Sequence, residues 1–128
     1  MGFWIFMFII AIIYPAMMIV IGLLFKNAAP KKINYIYGYR TAMSMKNRDT
    51  WEFAHRYIGR LSLLLGLLLL IPSVVPMLFL MSGSEELIAT VGLIIACVGM
   101  VVLFASIFRT ERVLKKTFDK NGNRIVAV

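Results

Sequence analysis

Three long stretches of hydrophobic residues divide the chain, and polar residues fill the intervals between them. The stretches run from about residue 3 to 25, from 58 to 81 and from 87 to 108. Each is close to the ~20 apolar residues that a helix needs to cross the ~30 Å hydrocarbon core of a bilayer. A soluble domain of 128 residues could not hide three such runs from water. The pattern therefore predicts an all-α membrane protein with three transmembrane helices.

Composition agrees with this class and indicates one membrane domain over residues 1–128. Hydrophobic residues make up 61% of the chain and charged residues only 16%, so lipid takes the place of a large core. The single cysteine, Cys97, cannot form an internal disulfide and is expected to pack as a small apolar residue.

Small residues recur four positions apart in the second and third stretches, at Ser62 and Gly66 and at Gly92 and Ala96. Positions four apart share a helix face, and small side chains let two backbones approach closely in lipid. We expect these two faces to pack against each other.

The charges predict the orientation of the protein. Of the 14 Lys and Arg residues, Arg60 lies at the very start of the second stretch, and the others lie between the first and second stretches or after the third. With three spans these two regions share a side, and the positive-inside rule places that side in the cytoplasm. The amino terminus then faces out and the basic tail, residues 109–128, faces in. The Asn-Gly-Asn sequence at residues 121–123 predicts a turn within this tail. The net charge of +8 is explained by this topology, so we expect membrane lipids as partners and no nucleic acid.

Residues 38–59 hold nearly all the side chains that could recognise a ligand. Ser44 and Asn47 are both suitable N-caps, and Asp49 and Glu52 suit a first helical turn. We therefore predict an interfacial or cytoplasmic amphipathic helix between the first and second spans, which begins near Ser44 or Asn47.

Two interpretations of this segment stay open. In one, Trp51, Phe53, Tyr57 and Ile58 dip into the lipid boundary while the basic residues meet anionic headgroups. In the other, an arginine, hydroxyls, an amide and an indole share one face and bind an anion or peptide carbonyl groups. The candidate binding residues are Arg40, Thr41, Ser44, Asn47, Trp51, His55 and Arg56.

Enzymatic chemistry is not indicated. His55 is the only histidine, and no metal-ligand cluster, phosphate-binding loop or nucleophile motif accompanies it. We predict no enzymatic activity, no cofactor and no metal.

The same segment resembles the signature of the SdpI/YfhL family of small bacterial membrane proteins. The residues that carry this resemblance are Gly38, Arg40, Thr41, Ser44, Asn47, Trp51, His55, Arg56 and Gly59. Ala42 departs from the pattern, because a proline often follows the Arg-Thr pair. The resemblance implies a multi-pass protein of the bacterial cytoplasmic membrane. It also implies immunity to a secreted antimicrobial peptide, or sensing of that peptide with a cytoplasmic regulator as partner.

Two other classes of function remain in competition with this one. A small transport or lipid-handling protein would need to form a homo-oligomer, because three spans are few for a pore. A structural subunit of a larger complex would be revealed by copurification. Survival of cells challenged with peptides and flux in proteoliposomes would separate the first two classes.

Overall fold

A computed structural model describes residues 2–27, 29–31, 33 and 38–125. It contains three helices in these residues: α1 (Gly2–Phe25), α2 (Arg48–Phe79) and α3 (Glu85–Thr117). Each is long and apolar enough to cross a membrane. The prediction of an all-α protein with three spanning helices is therefore confirmed.

Local signals in the sequence explain where α2 and α3 begin. Asn47 caps α2: its side chain accepts from the Thr50 amide, and the Thr50 side chain accepts from the Asn47 amide. Ser84 caps α3 by accepting from the Leu87 amide, and Glu85 begins the first turn near the positive end of the helix dipole. Of the two N-caps predicted for α2, the structure uses Asn47 and not Ser44.

The helices form an up-down-up bundle in which α1 is the common partner of the small residues. A Cβ built on Gly66 would lie 2.9 Å from Ile19 Cγ1 of α1, and one on Gly92 would lie 2.6 Å from Met7 Cε of α1. The expectation that the small-residue faces of α2 and α3 pack against each other was wrong. Gly66 and Gly92 both lie against α1, because a residue without a side chain lets a neighbouring helix approach closely.

Two of the helices are longer than a bilayer is thick. At ~1.5 Å per residue the 32 residues of α2 extend about 48 Å, well beyond the ~30 Å hydrocarbon core. The amino-terminal turns of α2 and the carboxyl-terminal turns of α3 project at the same end of the bundle, because these helices are antiparallel. We call residues 38–60 and 109–125 the basic end.

The predicted separate amphipathic helix is not supported in the described part of the chain. Residues 42–45 form a turn, and helix starts only at Arg48 and continues without a break into the second span. The amphipathic turns are the first turns of α2, because within residues 38–60 helix begins only after the cap at Asn47 and the next proline is Pro72.

Residues 118–125 of the basic tail fold back on the bundle. After α3 ends at Thr117, Asp119 N donates to Asn123 O at 2.8 Å and Ile125 N donates to Thr117 O at 2.8 Å. The turn predicted at residues 121–123 is confirmed, with Gly122 at a φ of +85°. We call residues 118–125 the carboxyl-terminal hairpin.

Candidate functional site

His55 is the centre of the polar network at the basic end. It is fully buried, and its Nε2 accepts a hydrogen bond from the Tyr39 amide at 2.8 Å. Its Nδ1 lies 2.8 Å from Trp51 O, one turn back along α2. An Nε2 that accepts carries no proton, so these partners require a neutral imidazole protonated on Nδ1. His55 thus fastens the connector between α1 and α2 to the first turns of α2.

Gly38 makes this contact possible. Its φ of +110° lies in the left-handed region, where a side chain is strained. A Cβ at this position would also lie 2.6 Å from His55 Nε2 and 3.3 Å from the Trp51 ring. The connector can reach the histidine only because position 38 has no side chain.

Trp51 fixes a second point of the connector. Its ring is fully buried, stacks at a tilt on His55 with a centroid distance of 4.2 Å, and its Nε1 donates to Pro30 O at 3.0 Å. Phe25 packs edge-on against the other side of the imidazole at 4.9 Å. The indole is therefore part of the protein interior, and its N–H is hydrogen-bonded there.

Tyr39 links the connector to α3. Its hydroxyl donates to Glu111 Oε1 at 2.8 Å and lies 3.3 Å from Ile107 O. Burial, followed by the hydrogen bond and the charge of Glu111, raises the pKa of the Tyr39 phenol far above its ordinary value. The phenol is therefore a stable hydrogen-bond donor throughout the physiological pH range.

Thr41 and Ser44 close a tight turn ahead of α2. The Thr41 amide donates to Ser44 Oγ at 2.9 Å, and the Ser44 amide donates to Thr41 Oγ1 at 3.2 Å. Ser44 Oγ also donates to Tyr39 O at 3.0 Å, and Thr50 Oγ1 donates to Ser44 O at 3.0 Å. The two hydroxyls therefore hold this turn together beside the backbone hydrogen bond from Met45 N to Thr41 O.

Asn47 joins the start of α2 to the carboxyl-terminal hairpin. Besides capping the helix, its Nδ2 donates to Gly122 O at 2.7 Å, across 75 positions of sequence. A Cβ on Gly122 would lie 2.5 Å from Asn47 Nδ2, so this glycine is required by the close approach as well as by its positive φ. One amide side chain thus satisfies groups on both elements.

Arg124 strengthens the same contact from the hairpin. It makes two hydrogen bonds of 2.8 Å to the Asp49 carboxylate, and its guanidinium lies 5.1 Å from the centre of the Phe118 ring. The bond to Asp49 raises the pKa of Arg124 further above its already high value. Phe118 itself is buried and packs edge-on against Phe53 at 5.4 Å.

The structure divides the predicted binding residues into three groups. Ser44, Trp51 and His55 are fully buried, and their polar atoms bond within the protein. Arg40 and Arg56 are exposed. The remaining two, Thr41 and Asn47, are half-buried and form the turn and the cap described above.

Neither of the two interpretations of residues 38–59 describes this segment fully. Trp51 and Ile58 are buried by the protein and not by lipid, and Thr41 to Asn47 are not helical. Tyr39, Gly122 and Arg124 also belong to the site, although their sequence context predicts no site role for them. Only Gly122 carried a local signal, as part of the predicted turn.

A cavity of about 290 Å³ lies directly beneath this network, between the three helices. Tyr39 and Gly38 form its wall at the basic end, and Ser62 lies among its otherwise apolar lining. Ser62 Oγ is buried and has no hydrogen-bond partner in the described part of the chain. Among the described residues no group of three or more His, Cys, Asp or Glu side chains could hold a metal ion.

Three apolar helices joined to a hydrogen-bonded basic end define a multi-pass membrane protein. The model of the SdpI/YfhL protein family matches residues 31–110, which include the whole connector signature and reach into the last turns of α3. The chain is also 36% identical over 109 residues to the "uncharacterized protein YfhL" of Bacillus subtilis (strain 168), a match that covers 84% of this chain and 89% of YfhL. No solved structure matches it. The chain belongs to the SdpI/YfhL family, as the resemblance indicated.

Proposed function

We propose that the protein gives resistance to a secreted antimicrobial peptide, or senses it, as an SdpI-like membrane protein. The family assignment supports this class. The observation that carries the proposal is the contrast in burial among the signature residues. The buried ones hold the connector, α2 and the hairpin in one fixed arrangement, while Arg40 and Arg56 remain exposed.

The division of labour within the signature follows from burial. A ligand cannot reach Trp51 or His55 without opening the network around them, because both are fully buried. We therefore assign direct contact to the exposed guanidinium groups, which suit peptide carbonyl or carboxylate oxygens. The buried residues act by preserving the surface on which these groups stand.

The proposed orientation places the basic end in the cytoplasm. All 14 Lys and Arg residues belong to the basic side of the topology, whereas Glu85 and Glu86 lie at the opposite turn. The double variant Lys46→Cys, Cys97→Ala should not react with membrane-impermeant thiol reagents in intact cells, and it should react after lysis. Labelling in intact cells would reverse the orientation and move the proposed contact surface outside.

The functional test is survival of a sensitive bacterial strain that expresses the protein and is challenged with a panel of secreted peptides. We expect Arg40→Gln and Arg56→Gln each to reduce protection at unchanged membrane levels. The matched control is Lys120→Gln, which removes an exposed cation from the hairpin. Protection that is absent in the wild type, or equal in all variants, would overturn the proposal.

Trp51→Ala provides a second arm of this experiment. We expect it to abolish protection by opening the network, so limited proteolysis should then cut the connector. Loss of protection in Trp51→Ala without increased cleavage would assign the indole a direct role instead.

Lipid handling is the second candidate function, and the cavity between the three helices favours it. Flux of lipid or solute through proteoliposomes would support this alternative, while protection of cells without flux would favour the first.

A further inference from the structure

We propose that the cavity beneath Tyr39 is a binding site for one anionic phospholipid, with an acyl chain between the helices and the phosphate at the end of α3. This inference does not depend on recognition of a peptide. It begins from the lining of the cavity, whose named residues come from all three helices. They are Ile21 and Leu24 of α1, Ile58 and Ser62 of α2, and Leu103 and Ile107 of α3.

The chemistry of the lining selects a ligand that is apolar with one acceptor group. At about 290 Å³ the cavity is near the lower end of the ~300–1,000 Å³ found for small-molecule sites, which is enough for part of an acyl chain. A buried hydroxyl without a partner is costly, and Ser62 Oγ is such a group. A lipid ester carbonyl would accept a hydrogen bond from it.

The height of the cavity in the bundle matches the ester region of a bilayer. Arg60 lies between Ile58 and Ser62 in sequence, and Arg109 follows Ile107 closely; both arginines are exposed. Arginines at the ends of spans extend their charged groups to the headgroup layer. Leu24 is 53% exposed, so this wall of the cavity borders the surrounding lipid.

Charge complementarity makes the ligand an anionic lipid. A second cavity, of about 460 Å³, adjoins the first at Ile107. It is lined by Ile107 and Phe108 and mainly by the apolar parts of Glu111, Arg112 and Lys115, of which the two basic residues are exposed. Glu111 is engaged by the Tyr39 hydroxyl, and the two cations exceed its single charge. A phosphate group there would be drawn to them, because each basic residue near an anionic surface contributes about 1 kcal/mol.

Native mass spectrometry of the delipidated full-length protein tests the proposal, with phosphatidylglycerol and phosphatidylcholine as probes. We expect one bound phosphatidylglycerol with an affinity about tenfold above that of phosphatidylcholine, a difference of ~1.4 kcal/mol. Equal binding of the two lipids, or no retained lipid, would overturn it. Dimerisation of the protein in place of lipid binding would also overturn it.

A matched pair of variants locates the site. Leu103→Trp fills the cavity and should remove the bound lipid, whereas Phe104→Trp, at a neighbouring position that is 61% exposed, should leave it unchanged. Arg112→Gln and Lys115→Gln should each weaken phosphatidylglycerol binding about fivefold, and Lys120→Gln, which also removes an exposed cation, should not. Equal effects within either comparison would contradict the site.

Ser62→Ala tests the polar contact alone, because it adds no volume that could disturb folding. We expect about fivefold weaker binding of ester-linked phosphatidylglycerol, the value of one net hydrogen bond, and no change for the ether-linked analogue. A similar loss for both lipids, or for neither, would exclude the ester contact and with it the proposed placement of the chain.

Discussion

The membrane-spanning part of the bundle and its basic end are held together in different ways. In the spanning part, α1 meets the other helices at glycines, and a Cβ on Gly22 would lie 2.4 Å from Leu63 Cβ. At the basic end, buried polar side chains bind backbone groups, as His55 binds the Tyr39 amide. Lipid is as apolar as the helices, so shape decides contact there. Outside the lipid, hydrogen bonds to buried groups decide it.

This contrast gives the family signature a physical meaning. Gly38 and His55 are needed together, since the glycine lets the connector approach the imidazole. Gly59 contributes to close backbone packing instead, because a Cβ there would lie 2.5 Å from the backbone nitrogen of Lys26, just after the end of α1. The signature thus covers the point where close backbone packing gives way to the polar network.

The largest effect should follow from breaking the spanning part. Gly22→Val would place a branched side chain against the Leu63 backbone, which lies only 2.7 Å from the ideal Cβ. Backbone cannot yield as a flexible side chain can, so we expect little folded protein in the membrane fraction. Gly2→Ala is the control, because nothing lies within 4 Å of its Cβ position. Normal yield and melting temperature for Gly22→Val would contradict this packing.

A smaller effect, confined to the basic end, should follow from His55→Ala. The change leaves the Tyr39 amide without its acceptor and opens a void beside Trp51, at a cost of about 2–4 kcal/mol. We expect normal insertion of the spans and faster hydrogen exchange over residues 38–47. The neighbouring Arg56→Ala, which is exposed, should exchange like the wild type. Global unfolding of His55→Ala would show that the two regions are not separable.

The smallest effect should come from Asn47→Asp, which separates the helix cap from the contact to the hairpin. Aspartate caps a helix as well as asparagine does, but a carboxylate cannot donate to Gly122 O. We expect α2 to keep its start while the hairpin loosens by about 1 kcal/mol, measured as hydrogen exchange at residues 118–125. Asn47→Ala should loosen both elements. If residues 118–125 exchange equally fast in Asn47→Asp and the wild type, the hydrogen bond from Asn47 to Gly122 does not stabilise the hairpin.

Much of this arrangement was predictable from sequence because its causes are local. The three apolar stretches specify three helices, and Asn47 was one of the two residues predicted to cap α2. The glycine at position 122 marked the hairpin turn. The periodicity of Trp51 and His55 correctly placed them on one face of a helix, but it could not say which way that face points.

The number of spans, their order and the gathering of the basic charges were determined by the sequence itself, since hydrophobic length and charge position act on each segment separately. Only the tertiary structure decided that the Trp51–His55 face turns inward and that the glycines of α2 and α3 meet α1. In a membrane, lipid and protein interior are equally apolar, so a hydrophobic pattern does not distinguish them. The bond from Asn47 to Gly122 joins residues 75 positions apart, and such a contact exists only once the helices have brought both ends of the chain together.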